Sequence, residues 1–454
     1  MKHILNFFFT SLIGIILFSC SNQESTKVDL LLNNASIIDV KNDEIIESQF
    51  VAIKGDTIFS VGGMSELPAF EGNASIDLEG KYIMPGLWDN HVHFRGGEEL
   101  IEENRSLLKL FPKFGITTVR DAGGDITPSV LEWRKTIQNK KLTGPHIFTS
   151  GPKLDGPNPA WAGSIKINNE NDIEKALDSL QKIGADYVKM YDGSLTAENF
   201  YAIIKAAEKR GLKTTGHMPM SADLNQAIDL GLDGSEHMYY SMKACSPKAD
   251  SLTELGLGYG MMEMITDTYD EELAKNFFKK MASNDVYITP TLYIGKVLSM
   301  LADEDHSSDS LLSDIGPGIQ ETYKGRIESA KRAKASGSQM RSKVSDLARE
   351  MVPAMVDNGV SILAGSDCGP FNSFVYPGEA LWGELFSLSA TGLTPSEVLS
   401  TSIINGPAYL GLSEFYGSIE KGKVADIIIL NKNPLDNLEN IRSLESVVLK
   451  GKQL

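Results

Sequence analysis

Cysteine is scarce in this chain. The 454 residues hold three, and one of them, Cys20, closes an N-terminal apolar stretch. Only Cys245 and Cys368 lie beyond it. That excludes a disulfide framework and leaves open a single Cys245–Cys368 bridge. Positive charge is in deficit: 43 Lys and Arg stand against 60 Asp and Glu, a formal net charge of -17. This balance argues against nucleic acid and anionic membrane surfaces as partners. Long apolar runs are missing except Ile4 to Phe18, which is too short to span a bilayer. No internal repeat and no low-complexity tract is found. Histidine is rare too, with seven in the whole chain, so where those seven fall carries weight.

What is present starts with an address. Lys2, the apolar run and the polar stretch Ser21 to Lys27 read as a signal peptide over residues 1–19. Leu17-Phe18-Ser19-Cys20 resembles the lipobox of bacterial lipoproteins. The resemblance implies cleavage before Cys20, a lipid on that cysteine, and export to a cell envelope with the anchor as the only membrane contact. Ordinary secretion with a free Cys20 is the alternative.

Residues 28–84 read as short strands between turns, such as Ala35 to Val40, Phe50 to Ile53 and Thr57 to Val61, punctuated by Gly55-Asp56 and Gly62-Gly63. Residues 413–454 have the same texture, in Ala425 to Leu430 and Ser446 to Gly451. Two strand-rich flanks around a different middle predict one small composite β-sandwich built from both chain ends. The middle, residues 85–412, alternates apolar strands with helices. Eight strand candidates are Leu87–His91, Thr117–Arg120, His146–Ser150, Asp186–Met190, Lys213–His217, Gly234–His237, Val286–Thr289 and Val360–Ala364. Helical stretches such as Asp172–Ile183 and Ala197–Arg210 lie between them. That alternation predicts an α/β, TIM-like (β/α)8 barrel, with an open doubly wound sheet as the alternative. Two connections, Met238–Asp285 and Tyr293–Gly359, are longer than a barrel needs and are expected to lid one end. The final helix starts at Thr394-Pro395-Ser396-Glu397, a capping box with proline at the first turn.

His91, His93, His217 and His237 each fall at or near a strand end, and in a parallel barrel those ends share one face. His91 and His93 are two apart, so on an extended chain they point the same way and can grip one ion. Asp367, in Gly365-Ser366-Asp367, reads as a helix cap or turn residue by itself. Beside four histidines it reads as metal ligand and proton carrier. Lys189, in Val188-Lys189-Met190-Tyr191, would be repelled by metal cations at the barrel mouth. As a carbamate formed with carbon dioxide it would instead bridge them; a lysine paired with a carboxylate is the plainer alternative.

Taken in order, Met84 to Asp89 running into His91-Val92-His93, Val188 to Tyr191, Gly216-His217, Glu236-His237, Gly365 to Asp367 and the tail Gly417 to Ile427 resemble the amidohydrolase superfamily. The likeness runs from about Leu30 to the C-terminus and is nearest the imidazolonepropionase-like and prolidase-like branch. It implies two divalent ions, usually zinc. His91, His93 and Asp367 would hold one, His217 and His237 the other, with carboxylated Lys189 between them. It further implies hydrolysis of an amide-type C–N bond in a small substrate (a dipeptide, an N-acyl amino acid or a cyclic amide) by attack of a metal-bridging hydroxide. Asp367 would move the proton.

Tyr191 is expected to face the same mouth and hydrogen-bond the substrate, or simply to pack. The Pro/Gly-rich loop Gly151–Trp161 reads as a shaped lid. It lacks the histidine with which prolidase-like relatives often meet a substrate carboxylate. Thr289–Leu292 is expected to line the pocket, Arg120 and Asp121 to pair, and Cys368 to be a small buried side chain. Rival readings are a lactonase or esterase on the same metals and a non-catalytic surface-binding protein on a hydrolase scaffold. A homo-oligomer stays open.

Overall fold

The computed structural model describes residues 25–454. The signal peptide and Cys20 therefore lie outside the described residues. No described helix is long and apolar enough to cross a membrane.

Both chain ends build one mixed sheet of eight strands. Its longest strand, Thr26–Asp39, pairs antiparallel with Glu44–Lys54 and parallel with both Phe70–Asp77 and Tyr82–Pro85. The C-terminal strand Ile427–Leu430 joins from the far side, antiparallel to Tyr82–Pro85. Side chains alternate across the pleat, which explains the apolar content of these strands. Leu30, Leu32, Val51, Ile53, Ile427 and Ile429 enter one buried cluster. Leu31, Phe50 and Ala52 enter another on the opposite face. Ile428 and Leu430 point away from Ile427 and Ile429 and join the barrel core.

The barrel wall follows the predicted order. Its strands are Leu87–Val92, Ile116–Asp121, His146–Thr149, Val188–Met190, Thr214–Gly216, Gly234–Glu236 and Tyr287–Thr289. The third is continued by Leu154–Asp155, which pairs with Met190. The expected eighth strand, Val360–Ala364, is not a regular strand. Within it only Ile362 forms an isolated bridge, to Ile288, and Cys368 just beyond it forms another, to Val92. The segment still closes the barrel, because Leu363 N donates to Ile288 O and Asn90 N to Ala364 O. Just past it the chain runs hard against its neighbours: a Cβ on Gly365 would lie 2.6 Å from Thr289 Cγ2 and 2.7 Å from His91 Cβ.

The capping box at Thr394 and Glu397 is formed. Its helix, Pro395–Ile403, is not the last, since Asn405–Tyr409 follows. Cys245 and Cys368 are both buried and, among the described residues, free, so the bridge left open above is not made.

Candidate active site

Period-two alternation carries the first strand into the site. Asp89 and His91 face the same way, and the chain continues to His93 and Arg95. The Asp89 carboxylate accepts Ser366 N at 2.9 Å and Ser366 Oγ at 2.6 Å, tying the first wall segment to the eighth. Burial raises Asp89 to about 7. On the fifth strand Gly216 has φ 144°, and a Cβ there would stand 2.2 Å from Met190 O. Only glycine lets the chain turn there into His217. His237, Thr291 and Asp367 sit at φ 61°, 51° and 54°. Left-handed backbone costs a non-glycine residue about 1 kcal/mol or more. Three such residues crowd one site, and their turns swing the side chains to the centre.

The four histidines and Asp367 meet there. His93 Nε2 lies 3.2 Å and His91 Nε2 3.6 Å from Asp367 Oδ1. His217 Nε2 and His237 Nε2 are 3.1 Å apart, and His237 Nε2 is 3.9 Å from Asp367 Oδ2. His91 Nε2 is also 3.3 Å from His93 Nε2. Each outer nitrogen is already engaged. His91 Nδ1 faces Glu236 Oε2 at 2.6 Å, His93 Nδ1 faces Gly123 O at 3.3 Å, and His217 Nδ1 faces Asp192 Oδ1 at 3.3 Å. His237 Nδ1 faces Thr291 Oγ1 at 2.7 Å. Carboxylates and carbonyls only accept, so the first three rings carry their proton on Nδ1. Their Nε2 lone pairs then point at one another and at a carboxylate. Burial holds His91, His93 and His237 below the ordinary imidazole value, so protonation does not relieve these contacts. A divalent cation does, and imidazoles backed by carboxylate or carbonyl are its usual ligands.

Lys189 Nζ is fully buried and has no hydrogen-bond partner among the described residues. Its nearest anion is Glu236 Oε1 at 3.8 Å. Burial, against the pull of Glu236, lowers its pKa to about 8. Burial therefore favours the neutral amine, the form from which a carbamate would be made. Glu236 is the hub behind the site. It accepts from Arg120 Nη2 at 2.9 Å and Thr215 Oγ1 at 2.9 Å besides His91. This corrects the Arg120–Asp121 pair. Neighbours on a strand face opposite ways, so Arg120 turns to Glu236 while Asp121 accepts from Thr149 Oγ1 at 2.6 Å.

A cavity of about 330 Å³ opens over these groups, and His93, His217, His237 and Asp367 lie in its wall. Tyr191 also lines it, stacked 4.3 Å from the His217 ring. The two long connections supply Tyr239 and Tyr259 from one and Ile294, Leu298 and Val344 from the other. Pro290, Thr291 and Leu292 line it as expected. The Gly151–Trp161 loop is pinned by Asp155, which accepts from Gly156 N, Ala160 N and Ser194 N, and it contributes Trp161. His146 and His306 are elsewhere, beside Asp426 and Asp309. Sequence reasoning passed over Asp89, Arg95, Asp192 and the role of Glu236. The first two continue the alternation through His91 and His93 and were within its reach.

Residues 82–454 match the model of the amidohydrolase family. The chain belongs to this family. It is thereby a hydrolase acting on carbon–nitrogen bonds. An imidazolonepropionase from Flavobacterium psychrophilum is 23% identical over 428 residues, covering 88% of this chain and 92% of that one. An ochratoxinase from Aspergillus niger is 21% identical over 496 residues, covering 96% and 88%. The structure of an Xaa-Pro dipeptidase with bound methionine superposes with a TM-score of 0.67 at 20% identity, over 94% of this chain and 99% of that one. At such identity the structural likeness speaks for the fold alone.

Proposed function

We propose that this amidohydrolase cleaves an amide-type C–N bond in a small substrate at a centre of two divalent ions. His91, His93 and Asp367 would hold one ion and His217 and His237 the other, with Lys189, carboxylated, between them. One observation carries the reading: four imidazole Nε2 atoms, their outer nitrogens engaged, converge with a carboxylate, and the buried Lys189 Nζ makes no hydrogen bond among the described residues. Bound there, the ions would supply an activated water at neutral pH and polarise the substrate carbonyl. Asp367 is placed to take the proton of the attacking water and return it to the leaving nitrogen. Asn372 Nδ2 donates to Asp367 Oδ1 at 2.8 Å and so orients the carboxylate. Tyr191 presents its hydroxyl to the substrate from the cavity wall.

Metal analysis should find about two ions per chain, and chelation should abolish hydrolysis. Asp367→Asn should lower kcat by about 10²–10⁴-fold, the usual worth of a placed acid–base group, with most of the metal retained. A metal-free protein with full activity, or an Asn variant turning over like the wild type, would sink the reading.

We further propose export and a lipid anchor at Cys20, supported by the apolar run Ile4 to Phe18 and by Ser19-Cys20. Labelled palmitate should enter the wild type and not Cys20→Ser, which should move to the soluble fraction. Equal labelling of both would refute the anchor.

A further inference from the structure

The long connection after His237 carries Tyr259 into the cavity wall on a short, unusual run. Leu255-Gly256-Leu257-Gly258-Tyr259-Gly260 alternates glycine with a large side chain. Leu255 and Leu257 are 59% and 47% exposed. Gly256 and Gly258 are left-handed, at φ 65° and 53°, and a Cβ on either would meet nothing within 4 Å. The run therefore stands off the surface with little packed against it. Its backbone hydrogen bonds are local, such as Gly256 N to Thr253 O and Gly260 N to Leu257 O. Among the described residues, its hydrogen bonds to distant parts of the chain all pass through one group, the Tyr259 hydroxyl.

That hydroxyl lands behind a candidate metal ligand. It donates to Asp192 Oδ2 at 2.6 Å, since a carboxylate only accepts. Its single proton is thereby committed, so the Tyr240 hydroxyl is the donor in the 2.7 Å contact between the two tyrosines. Asp192 Oδ1 faces His217 Nδ1 at 3.3 Å, and the Tyr259 oxygen is itself 3.5 Å from that nitrogen. Asp192 follows the strand Val188–Met190, His217 the strand Thr214–Gly216, and Tyr240 lies on the helix Tyr239–Ala244. Each link of the row polarises the next, so the row is stronger than its separate pairs. The hold of the run on the barrel and the orientation of a ligand imidazole thus share one carboxylate.

We propose that Tyr259 is a positioning residue: seated on Asp192, it fixes the carboxylate that orients His217, so closure of residues 252–261 over the cavity and occupancy of the ion at His217 and His237 favour each other. This rests on the two-ion reading above and deepens it. Tyr259 need not touch substrate. The coupling is reciprocal by linkage: a segment that tightens zinc binding is itself tightened by zinc, by the same factor. Losing the partner of a ligand histidine costs about 10–100-fold in metal affinity, and Tyr259 acts one link further out, so about tenfold is expected.

The test uses the full chain, with zinc alone as the probe. Competition with a chelator gives the affinity for each ion. Amide hydrogen exchange reports the opening of residues 252–261 with and without zinc. In the wild type, zinc should slow exchange in this segment by about tenfold, the same factor. Tyr259→Phe keeps the ring and removes the hydroxyl. It should weaken one ion about tenfold, leave the other unchanged, and abolish the effect of zinc on exchange. In an Asp192→Asn background the same substitution should cost no further zinc affinity, because the two groups act in series. Tyr240→Phe, which leaves the Tyr259–Asp192 bond in place, should show a smaller loss of the same kind. A merely structural tyrosine would loosen the segment equally with and without zinc and leave zinc affinity alone; that result overturns the proposal. So does a full loss of affinity on adding Tyr259→Phe to Asp192→Asn. The two readings fail differently. A wild type that binds no zinc sinks the two-ion reading, and this proposal with it. One that binds two ions, with Tyr259→Phe indistinguishable from it, sinks this proposal alone. One that shows the coupling but cleaves no amide sinks the hydrolase reading alone.

Discussion

Glu236 shows how much of this site rests on one side chain that need not touch substrate. It orients His91, neutralises Arg120 and is the anion nearest Lys189. Burial opposes its charge, yet Lys189, Arg120 and His91 hold its pKa well below the ordinary 4.5. Glu236→Gln keeps the shape and removes the charge, leaving Arg120 buried without a counter-ion. Breaking such a pair costs about 3–5 kcal/mol, and losing the partner of a ligand histidine costs about 10–100-fold in metal affinity. Chelator competition and thermal melting would read both. The pH sign follows from the depressed value. The stabilisation is present above the unfolded value of 4.5 and is lost as pH falls through the folded one. The gap between wild type and Glu236→Gln should therefore narrow in acid. A constant gap from pH 7 down to the onset of acid unfolding would contradict this. The ligands were legible from their types and spacing, but Glu236 beside His237 was not. Strict alternation sends neighbours to opposite faces; the left-handed turn at His237 brings both to the same site.

Among the elements, the helix Leu292–Met300 owes its placement to a residue distant in sequence. Its preceding residue, Thr291, is left-handed and gives it no side-chain cap. The cap comes from Glu384 on the helix Glu379–Ser389, whose Oε2 accepts Tyr293 N at 2.7 Å. Thr291 in turn holds His237 Nδ1, so Glu384 is a positioning residue for the site. Burial raises its pKa to about 8. An acid raised in this way contributes stability that is full below its unfolded value of 4.5 and is lost as pH rises through about 8. Glu384→Gln, which still offers an oxygen, should melt close to the wild type at pH 5 and above it at pH 8. Glu384→Ala should lose about 1–2 kcal/mol, as helix caps do. It should also raise KM or weaken metal binding, which a purely structural cap would leave alone. If Gln and Ala behaved alike at every pH, the cap would be refuted. Nothing near Thr291 in the sequence points to this contact, because cap signals are local and this one spans 91 residues. By contrast Thr394 and Glu397 lie three apart, and their box was read directly. The irregular eighth segment escaped for a related reason. Val360–Ala364 has strand composition, and whether a ladder forms depends on partners far apart in the chain.

At the scale of the whole molecule, both chain ends share one sheet, and the barrel rests on it. Matching strand texture at the two ends made this legible; the pairing of Tyr82–Pro85 with Ile427–Leu430 did not follow from texture, because register depends on partners far apart in the chain. That pairing has a consequence for truncation. Ile427 and Ile429 fill the sheet core, while Ile428 and Leu430 fill the barrel floor, all at 0–1% exposure. Each such side chain is worth about 1.5–3 kcal/mol on burial. The four together come to about 6–12 kcal/mol, comparable with the entire stability of a typical domain. Removing residues 417–454 would also strip Tyr82–Pro85 of its antiparallel partner and leave an open sheet edge, a template for aggregation. The shortened chain keeps all six central residues, His91, His93, Lys189, His217, His237 and Asp367. If the site were self-sufficient within the barrel, it would still bind metal and melt cooperatively. The shared core says otherwise: the truncated protein should be insoluble, or soluble without a cooperative thermal transition and without stoichiometric metal. Expression of the fragment, followed by melting and metal analysis, decides the matter. A soluble fragment melting within a few degrees of the full chain would show that the barrel stands without its C-terminal strands.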